Sequence, residues 1–122
     1  LADDIVHAIH VDLPILEIEG LLPSGTIPTA YTAVRERYGE APASYDHVYC
    51  YHSAPALVQQ RFADKTIRGQ PNVFVLQADA QLGIYGKTLP LGHLFVDLWN
   101  MTDWYAKDFV RRVKEEIDGL LS

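Results

Sequence analysis

The sequence contains a single cysteine and no long apolar stretch, and both absences narrow what the chain can be. Cys50 is the only cysteine among 122 residues, so no intramolecular disulfide can form and a secreted, disulfide-stabilised scaffold is excluded. No apolar run approaches the roughly 20 residues of a membrane-spanning helix, and no secretory signal peptide is recognisable. We therefore expect a cytoplasmic protein that does not bind a membrane.

Basic residues are scarce relative to acidic ones. Ten Lys and Arg against 16 Asp and Glu give a formal net charge of -6. Because binding to nucleic-acid phosphates requires a net basic face, this domain is not expected to be the main DNA-binding surface. Hydrophobic residues make up 48% of the chain and charged residues 21%, a composition typical of folded domains rather than disordered ones.

Complete catalytic motifs are also missing. Residues 20–25 read Gly-Leu-Leu-Pro-Ser-Gly, but they lack the Gly-Lys-Ser/Thr ending of a phosphate-binding loop and are interpreted as a turn. The chain has no Glu-x-Lys triplet of the kind that restriction-type nucleases carry. It also lacks the Gly-Ser and Asp-x-Asp elements of nucleotidyltransferases. No cofactor is predicted.

Hydrophobic periodicity and turn residues predict helices alternating with strands. The predicted helices comprise residues 2–10, a segment capped by Thr26 or Thr29 and ending at Tyr38, a segment capped by Ser53, and about 18 residues at the end of the chain with Thr102 as cap. The predicted strands are residues 15–18, 48–51, 73–76, 84–85 and 94–99, with 73–76 at the centre of the sheet.

This order of elements predicts one α/β domain over residues 1–122. We expect a mixed sheet of about four to five strands flanked by helices, closed by a long amphipathic C-terminal helix. Since the first residue is Leu1 rather than Met, the domain is expected to be the C-terminal part of a longer protein.

The end of the chain carries the residues predicted to contact a partner. Lys107 and Arg111 form a basic strip on the last helix, and Trp99 and Trp104 precede it. Tryptophan and arginine are enriched at protein interfaces, which makes these four residues the predicted interaction site. The alternatives are a solvated charged face and aromatic residues that complete the core.

Asp97 is unusual because it interrupts an apolar run. Burial of a carboxylate is costly unless it is paired, so Asp97 is interpreted as structural, at a sheet edge or beside a base such as Lys87. The alternative is an enzyme in which Asp97 joins Glu17 and Glu19 around a divalent cation. In that enzyme His52 is a candidate acid or base.

His7 and His10 are a weak candidate for a metal site. They lie three residues apart on the predicted first helix, a spacing at which two imidazoles can hold one ion. Further ligands at a characteristic spacing are missing, and two surface histidines are the simpler interpretation.

The second half of the chain shows an Asn-Val-hydrophobic segment, a hydrophobic-Asp-Leu segment and then a helix. The residues of this pattern are Asn72, Val73, Leu76, Val96, Asp97 and Leu98. Over about residues 46–117 it resembles the C-terminal domain of AbiEi-like antitoxin regulators, which carry an N-terminal winged helix-turn-helix. The Gly-Arg-Gly-Glu-type segment of that family is replaced here by residues 100–105.

The resemblance implies a non-catalytic regulatory or protein-interaction domain of a prokaryotic winged-helix transcriptional regulator. Such a domain binds a protein partner or itself, and reaches DNA only through a domain preceding Leu1. An exposed apolar patch would favour this function. The alternative, a metal-dependent nuclease or nucleotidyltransferase-like enzyme, requires at least two carboxylates within about 5 Å of each other. A small-ligand sensor requires an apolar pocket with a few convergent polar groups.

Overall fold

A five-stranded mixed sheet with helices on both faces organises the chain. The computed structural model describes residues 5–42, 45–79, 82, 88–101 and 103–121. Within them the strands are β1 (Ile5–Val11), β2 (Ile27–Pro28), β3 (Val48–His52), β4 (Thr66–Ile67) and β5 (Val73–Gln77). The α-helices are α1 (Ile15–Leu21), α2 (Ala30–Tyr38), α3 (Pro55–Arg61), α4 (Leu91–Trp99) and α5 (Ala106–Leu121). The predicted fold class is confirmed.

The sheet has the order β2-β3-β5-β1-β4, with β5 in the middle as predicted. β3 and β5 run parallel, with Val48 opposite Val73 and Tyr51 opposite Leu76. The other three neighbouring pairs are antiparallel. The parallel pair requires a crossover connection, and α3 supplies it. None of the helices in the described ranges is long and apolar enough to cross a bilayer.

Two hydrophobic cores lie on opposite faces of the sheet, because successive strand residues point to opposite sides. One core joins alternate residues of β3 and β5 to α1 and α3, and includes Val48, Cys50, Val73, Val75, Ile18 and Val58. The other joins the remaining residues of the same strands to α2, α4 and α5, and includes Tyr51, Leu76, Val34, Leu94, Leu98 and Val113. The result is three layers, helix–sheet–helix.

The two predictions at the start of the chain are wrong. Residues 5–11 form strand β1 rather than a helix, because β5 pairs with its first part and β4 with its end. These hydrogen bonds connect segments about sixty residues apart. The spacing of apolar residues within one short segment contains no information about such distant partners. Residues 15–21 form helix α1 rather than a strand. Pro14 occupies the N-cap position of α1, where the fixed φ of proline suits the entry into the helix and no backbone N–H is needed.

The predicted strand at residues 94–99 is also wrong, since these residues belong to helix α4. Leu94 and Leu98, one helical turn apart, are buried against the core, whereas Val96 between them is exposed. A strand would have placed all three on one face. A helix therefore stands where the antitoxin resemblance expects its second strand.

The predictions for α2, β3 and β5 are confirmed. Thr29, one of the two predicted caps, occupies the N-cap position of α2, but its side chain makes no capping hydrogen bond. Gly39 ends α2 with a left-handed φ of 70°, a conformation that glycine adopts without steric cost. Ala54, not Ser53, occupies the N-cap position of α3, so the predicted cap is wrong and no side chain caps this helix. The C-terminal helix is confirmed as α5, while its predicted cap, Thr102, and the predicted strand 84–85 lie outside the described residues.

Candidate interaction surface

A groove between α4 and α5 brings together all four residues predicted to contact a partner. Trp99 ends α4, Trp104 lies in the following turn, and Lys107 and Arg111 project from α5; all four line a cavity of about 740 Å³. Apolar side chains complete its lining, among them Leu98, Met101 and Val110. We call this feature the α4–α5 groove.

The tryptophan side chains of the groove are unusually exposed for residues of their size. Trp99 is 69% exposed and Trp104 is 83% exposed. Trp99 stacks on Phe95, with ring centroids 6.1 Å apart, and Trp104 meets Tyr105 edge to face at 5.5 Å. Large aromatic surfaces left in water mark binding sites more often than isolated exposed residues do. The two indoles are therefore held by neighbouring rings but not covered by them.

The rim of the groove is basic, although the chain as a whole is acidic. Lys107, Arg111 and Lys114 lie along one side of α5 and all line the groove. Lys114 pairs with Asp118 at 2.9 Å, while Lys107 and Arg111 form no ion pair with the described residues. Asp103, the acidic residue of the lining, accepts a hydrogen bond from Tyr31. Positive charge therefore dominates this edge.

The Asp97 carboxylate is buried and is held by hydroxyl groups. The Thr29 hydroxyl donates to its Oδ2 at 2.5 Å and the Tyr51 hydroxyl at 2.9 Å. His93 Nε2 lies 3.0 Å from the Tyr51 oxygen and 3.5 Å from the same carboxylate oxygen. Hydrogen bonds to a charged acceptor offset the cost of its burial. Asp97 thereby ties α4 to the start of α2 and to β3.

Sequence reasoning missed His93 and Thr29 as partners of Asp97. His93 and Asp97 are four residues apart, a spacing that brings side chains together only on a helix. Because residues 94–99 were predicted to be a strand, the four-residue spacing of His93 and Asp97 did not indicate a contact. Thr29 and Tyr51 precede Asp97 by 68 and 46 residues, so only the tertiary fold brings them to the carboxylate. The base suggested for Asp97, Lys87, lies outside the described residues.

The residues of the alternative enzyme have separate sets of partners. Glu19 forms a salt bridge with Arg35 at 2.7 Å and accepts a hydrogen bond from Tyr45, whereas Glu17 is exposed in the first turn of α1. Neither shares a partner with Asp97. In the described part of the chain no group of three or more His, Cys, Asp or Glu side chains is placed to hold a metal ion.

His52 uses both ring nitrogens to hold its surroundings together. Its Nδ1 accepts a hydrogen bond from the Ala54 backbone N–H at 2.9 Å, and its Nε2 lies 3.0 Å from the Ser24 carbonyl oxygen. The first bond makes Nδ1 the acceptor, so Nε2 carries the proton and donates it to Ser24. The ring is buried. It joins the end of β3 to the start of α3 and to the loop before β2.

The structure does not bring His7 and His10 to one site. Both lie on β1, not on a helix, and strand residues three apart point to opposite faces. His10 Nδ1 lies 2.6 Å from the backbone oxygen of Gln70. Their three-residue spacing therefore does not bring the two imidazoles together around one metal ion.

Known proteins offer no match: no family model, curated protein or solved structure aligns with this chain. The antitoxin resemblance therefore stays a prediction. A function has to be inferred from the molecule's own surfaces.

Proposed function

We propose that this chain is a non-catalytic protein-interaction domain that binds an acidic, amphipathic segment of a partner protein in the α4–α5 groove. The observation that carries this function is the juxtaposition of two exposed indoles with three basic side chains on the rim. Buried aromatic anchors supply most of the energy of a typical interface. Complementary charge at the rim selects the partner and speeds its association.

A helical segment suits the shape of the groove. Two helices, α4 and α5, form its walls, and amphipathic helices commonly bind by laying their apolar face into such a groove. The apolar face would cover Trp99, Trp104 and Val110, while carboxylates on its flank would reach Lys107 and Arg111. The chain as a whole has a net charge of -6, so its overall field repels an acidic partner segment. The basic rim of the groove is the place where such a segment finds complementary charge.

The regulatory setting of this interaction is part of the same proposal. Val73–Leu76 of the antitoxin-like pattern lie in strand β5, whereas Val96–Leu98 lie in helix α4. From the resemblance of the sequence, we propose that the domain belongs to a prokaryotic, cytoplasmic winged-helix regulator. DNA binding would belong to a domain preceding Leu1, in keeping with the acidity of this one. Translation of the coding sequence upstream of Leu1 tests this setting: a winged helix there supports it, and a further strand of the same sheet contradicts it.

Fluorescence titration tests the groove directly, because Trp99 and Trp104 are the two tryptophans of the chain. The titrants are two synthetic amphipathic helices as long as α5, with the same apolar face and with either Glu or Lys on the polar face. We expect the acidic peptide to shift the emission and to bind in a salt-sensitive manner. Equal binding of the basic peptide would contradict the proposal.

Variants separate the contribution of shape from that of charge. Trp104→Ala should weaken binding of the acidic peptide at least about tenfold, as expected for a central aromatic anchor. The double variant Lys107→Glu/Arg111→Glu should weaken it as well, whereas the control Arg68→Glu, an exposed residue after β4, should not. Sedimentation tests the competing occupant: dimerisation abolished by Trp104→Ala would assign the groove to a second copy of this chain.

A further inference from the structure

A second pocket, separate from the α4–α5 groove, is lined chiefly by tyrosines and aspartates. Its volume is about 290 Å³. Its walls come from four parts of the chain, namely α2, the loop before β3, β3 itself and the turn before α5. The residues that matter are Tyr31, Tyr45, Tyr49, Tyr105, Asp46 and Asp103. We call this feature the tyrosine pocket.

The rings of the tyrosine pocket are inclined to one another rather than stacked. Tyr31 and Tyr49 meet at an interplanar angle of 77° with centroids 6.3 Å apart. Tyr31 and Tyr105 meet at 45° with centroids 5.6 Å apart. Tyr31 is buried, so the aromatic surface that the pocket offers comes from the half-buried rings of Tyr45, Tyr49 and Tyr105. Such walls attract cations, and cages of this kind recognise alkylated ammonium groups.

The electrostatic field in the pocket also favours a cation. Asp103 accepts a hydrogen bond from the Tyr31 hydroxyl at 3.0 Å, and Asp46 lies exposed at the rim. Burial, together with the charges of Asp103 and Asp46, raises the pKa of Tyr49 to about 12. Burial disfavours a charge of either sign, but the part of this rise that comes from Asp103 and Asp46 reflects negative charge that attracts a cation to the same place.

Few basic groups compete with a cationic ligand. No lysine or arginine is among the described residues that line the pocket. His47 is the single basic side chain there, and its Nδ1 lies 2.6 Å from Asp46 Oδ1. The hydroxyl of Tyr49 forms no hydrogen bond with any residue that the structure describes. The pocket thus combines aromatic faces, two carboxylates and an available phenol.

We propose that the tyrosine pocket binds the alkylated ammonium head of a small organic cation. The aromatic faces would contact the alkyl groups, and Asp103 and Asp46 would balance the charge. This site is independent of the peptide-binding function proposed for the α4–α5 groove. Trp104 lines the groove whereas the adjacent Tyr105 lines the pocket, and Asp103 alone lines both.

Calorimetric titration with choline and with its neutral isostere 3,3-dimethylbutan-1-ol tests the proposal. The two compounds share their shape and differ in charge. Choline should bind at least about tenfold more tightly, a ratio of the size expected for a partly desolvated cation–π site. Equal binding of the alcohol, or no binding of choline, would overturn the proposal. Tighter binding of ethanolamine than of choline would also overturn it, in favour of a primary-amine site.

Matched variants locate the binding and guard against loss of folding. Asp103→Asn keeps an acceptor for the Tyr31 hydroxyl but removes the charge, and should weaken choline binding about tenfold or more. Asp118→Asn, an exposed acid on α5 paired with Lys114, should not. Tyr49→Phe should retain binding because the ring remains, whereas Tyr49→Leu should lose it. Retained binding in both Tyr49→Leu and Asp103→Asn would place the cation elsewhere and refute the proposed site.

Discussion

Thr29 donates its hydroxyl hydrogen to the Asp97 carboxylate over 2.5 Å, although 68 residues separate the two in sequence. Thr29 stands at the N-cap position of α2, and Asp97 lies in α4. With the second hydroxyl, that of Tyr51, this bond fixes α4 against α2 and the sheet. Since α4 carries one wall of the α4–α5 groove, the position of Trp99 depends on the Asp97 carboxylate.

Asp97→Asn is expected to lower the free energy of unfolding by about 1–3 kcal/mol. The amide retains one acceptor oxygen for the Thr29 and Tyr51 hydroxyls, but it removes the negative charge that makes these hydrogen bonds strong. Urea denaturation measures the change. Asp118→Asn, a substitution at an exposed ion pair, should alter stability by no more than about 0.5 kcal/mol. An Asp97→Asn variant as stable as the parent protein would show that the hydroxyl bonds are not needed.

Acid should weaken the connection between α2 and α5. Hydrogen bonds from Arg37 hold the pKa of Glu116 below its ordinary value of 4.5. Because the folded-state pKa is depressed, this stabilisation is complete above pH 4.5 and is lost as the pH falls through the folded-state value. Glu116→Gln should therefore reduce the urea midpoint at pH 7, and the difference from the parent protein should shrink towards pH 3. A difference independent of pH would rule out this linkage.

Cys50 should be inert in the folded protein. It is fully buried within the core shared by β3, β5, α1 and α3, and burial raises the pKa of its thiol to about 12. Because the thiolate is the reactive species, labelling by a disulfide reagent at pH 8 should proceed only through unfolding. It should become rapid in denaturant. Immediate labelling under native conditions would contradict this burial.

Two glycine-to-alanine substitutions should shift stability in opposite directions. Gly39 has a φ of +70° at the end of α2, where a Cβ is strained, so Gly39→Ala should cost about 1 kcal/mol. Gly20 lies exposed in α1, and an added Cβ would meet no atom within 4 Å apart from its chain neighbours and its own helix backbone. Gly20→Ala should therefore stabilise the protein by up to about 1 kcal/mol. Thermal unfolding compares the two, and equal effects would argue against the left-handed cap.

The sheet centre could be predicted because its residues are apolar in unbroken runs. Residues 73–76 and 48–51 face a core on both sides, so each local segment already reads as a buried strand. Residues 5–11 and 94–99 were misassigned for a different reason. Over so short a window their apolar residues fit both the helical and the strand period. Long-range pairing makes residues 5–11 a strand, and packing of α4 on α2 makes residues 94–99 a helix.

The interaction residues were predictable in part because they are close in sequence. Trp99, Trp104, Lys107 and Arg111 lie within 13 residues of one another, and tryptophan and arginine are enriched at interfaces. That Trp99 ends a helix, and so faces α5 across a groove, became apparent only from the structure. The tyrosine pocket shows the opposite case. The sequence shows that tyrosine is frequent, but Tyr31, Tyr49 and Tyr105 meet only through the packing of α2, β3 and the turn before α5.

The central position of β5 has a consequence for biosynthesis. β1 and β3 each pair with β5 and not with each other, so both strands gain their central neighbour only after residues 73–77 have left the ribosome. Until then the first part of β1, Ile5–Ile9, which pairs with β5, presents unpaired backbone groups, and this makes a nascent chain vulnerable to aggregation. Chains arrested before residue 73 should be captured by chaperones or degraded, whereas chains released beyond α5 can complete the sheet.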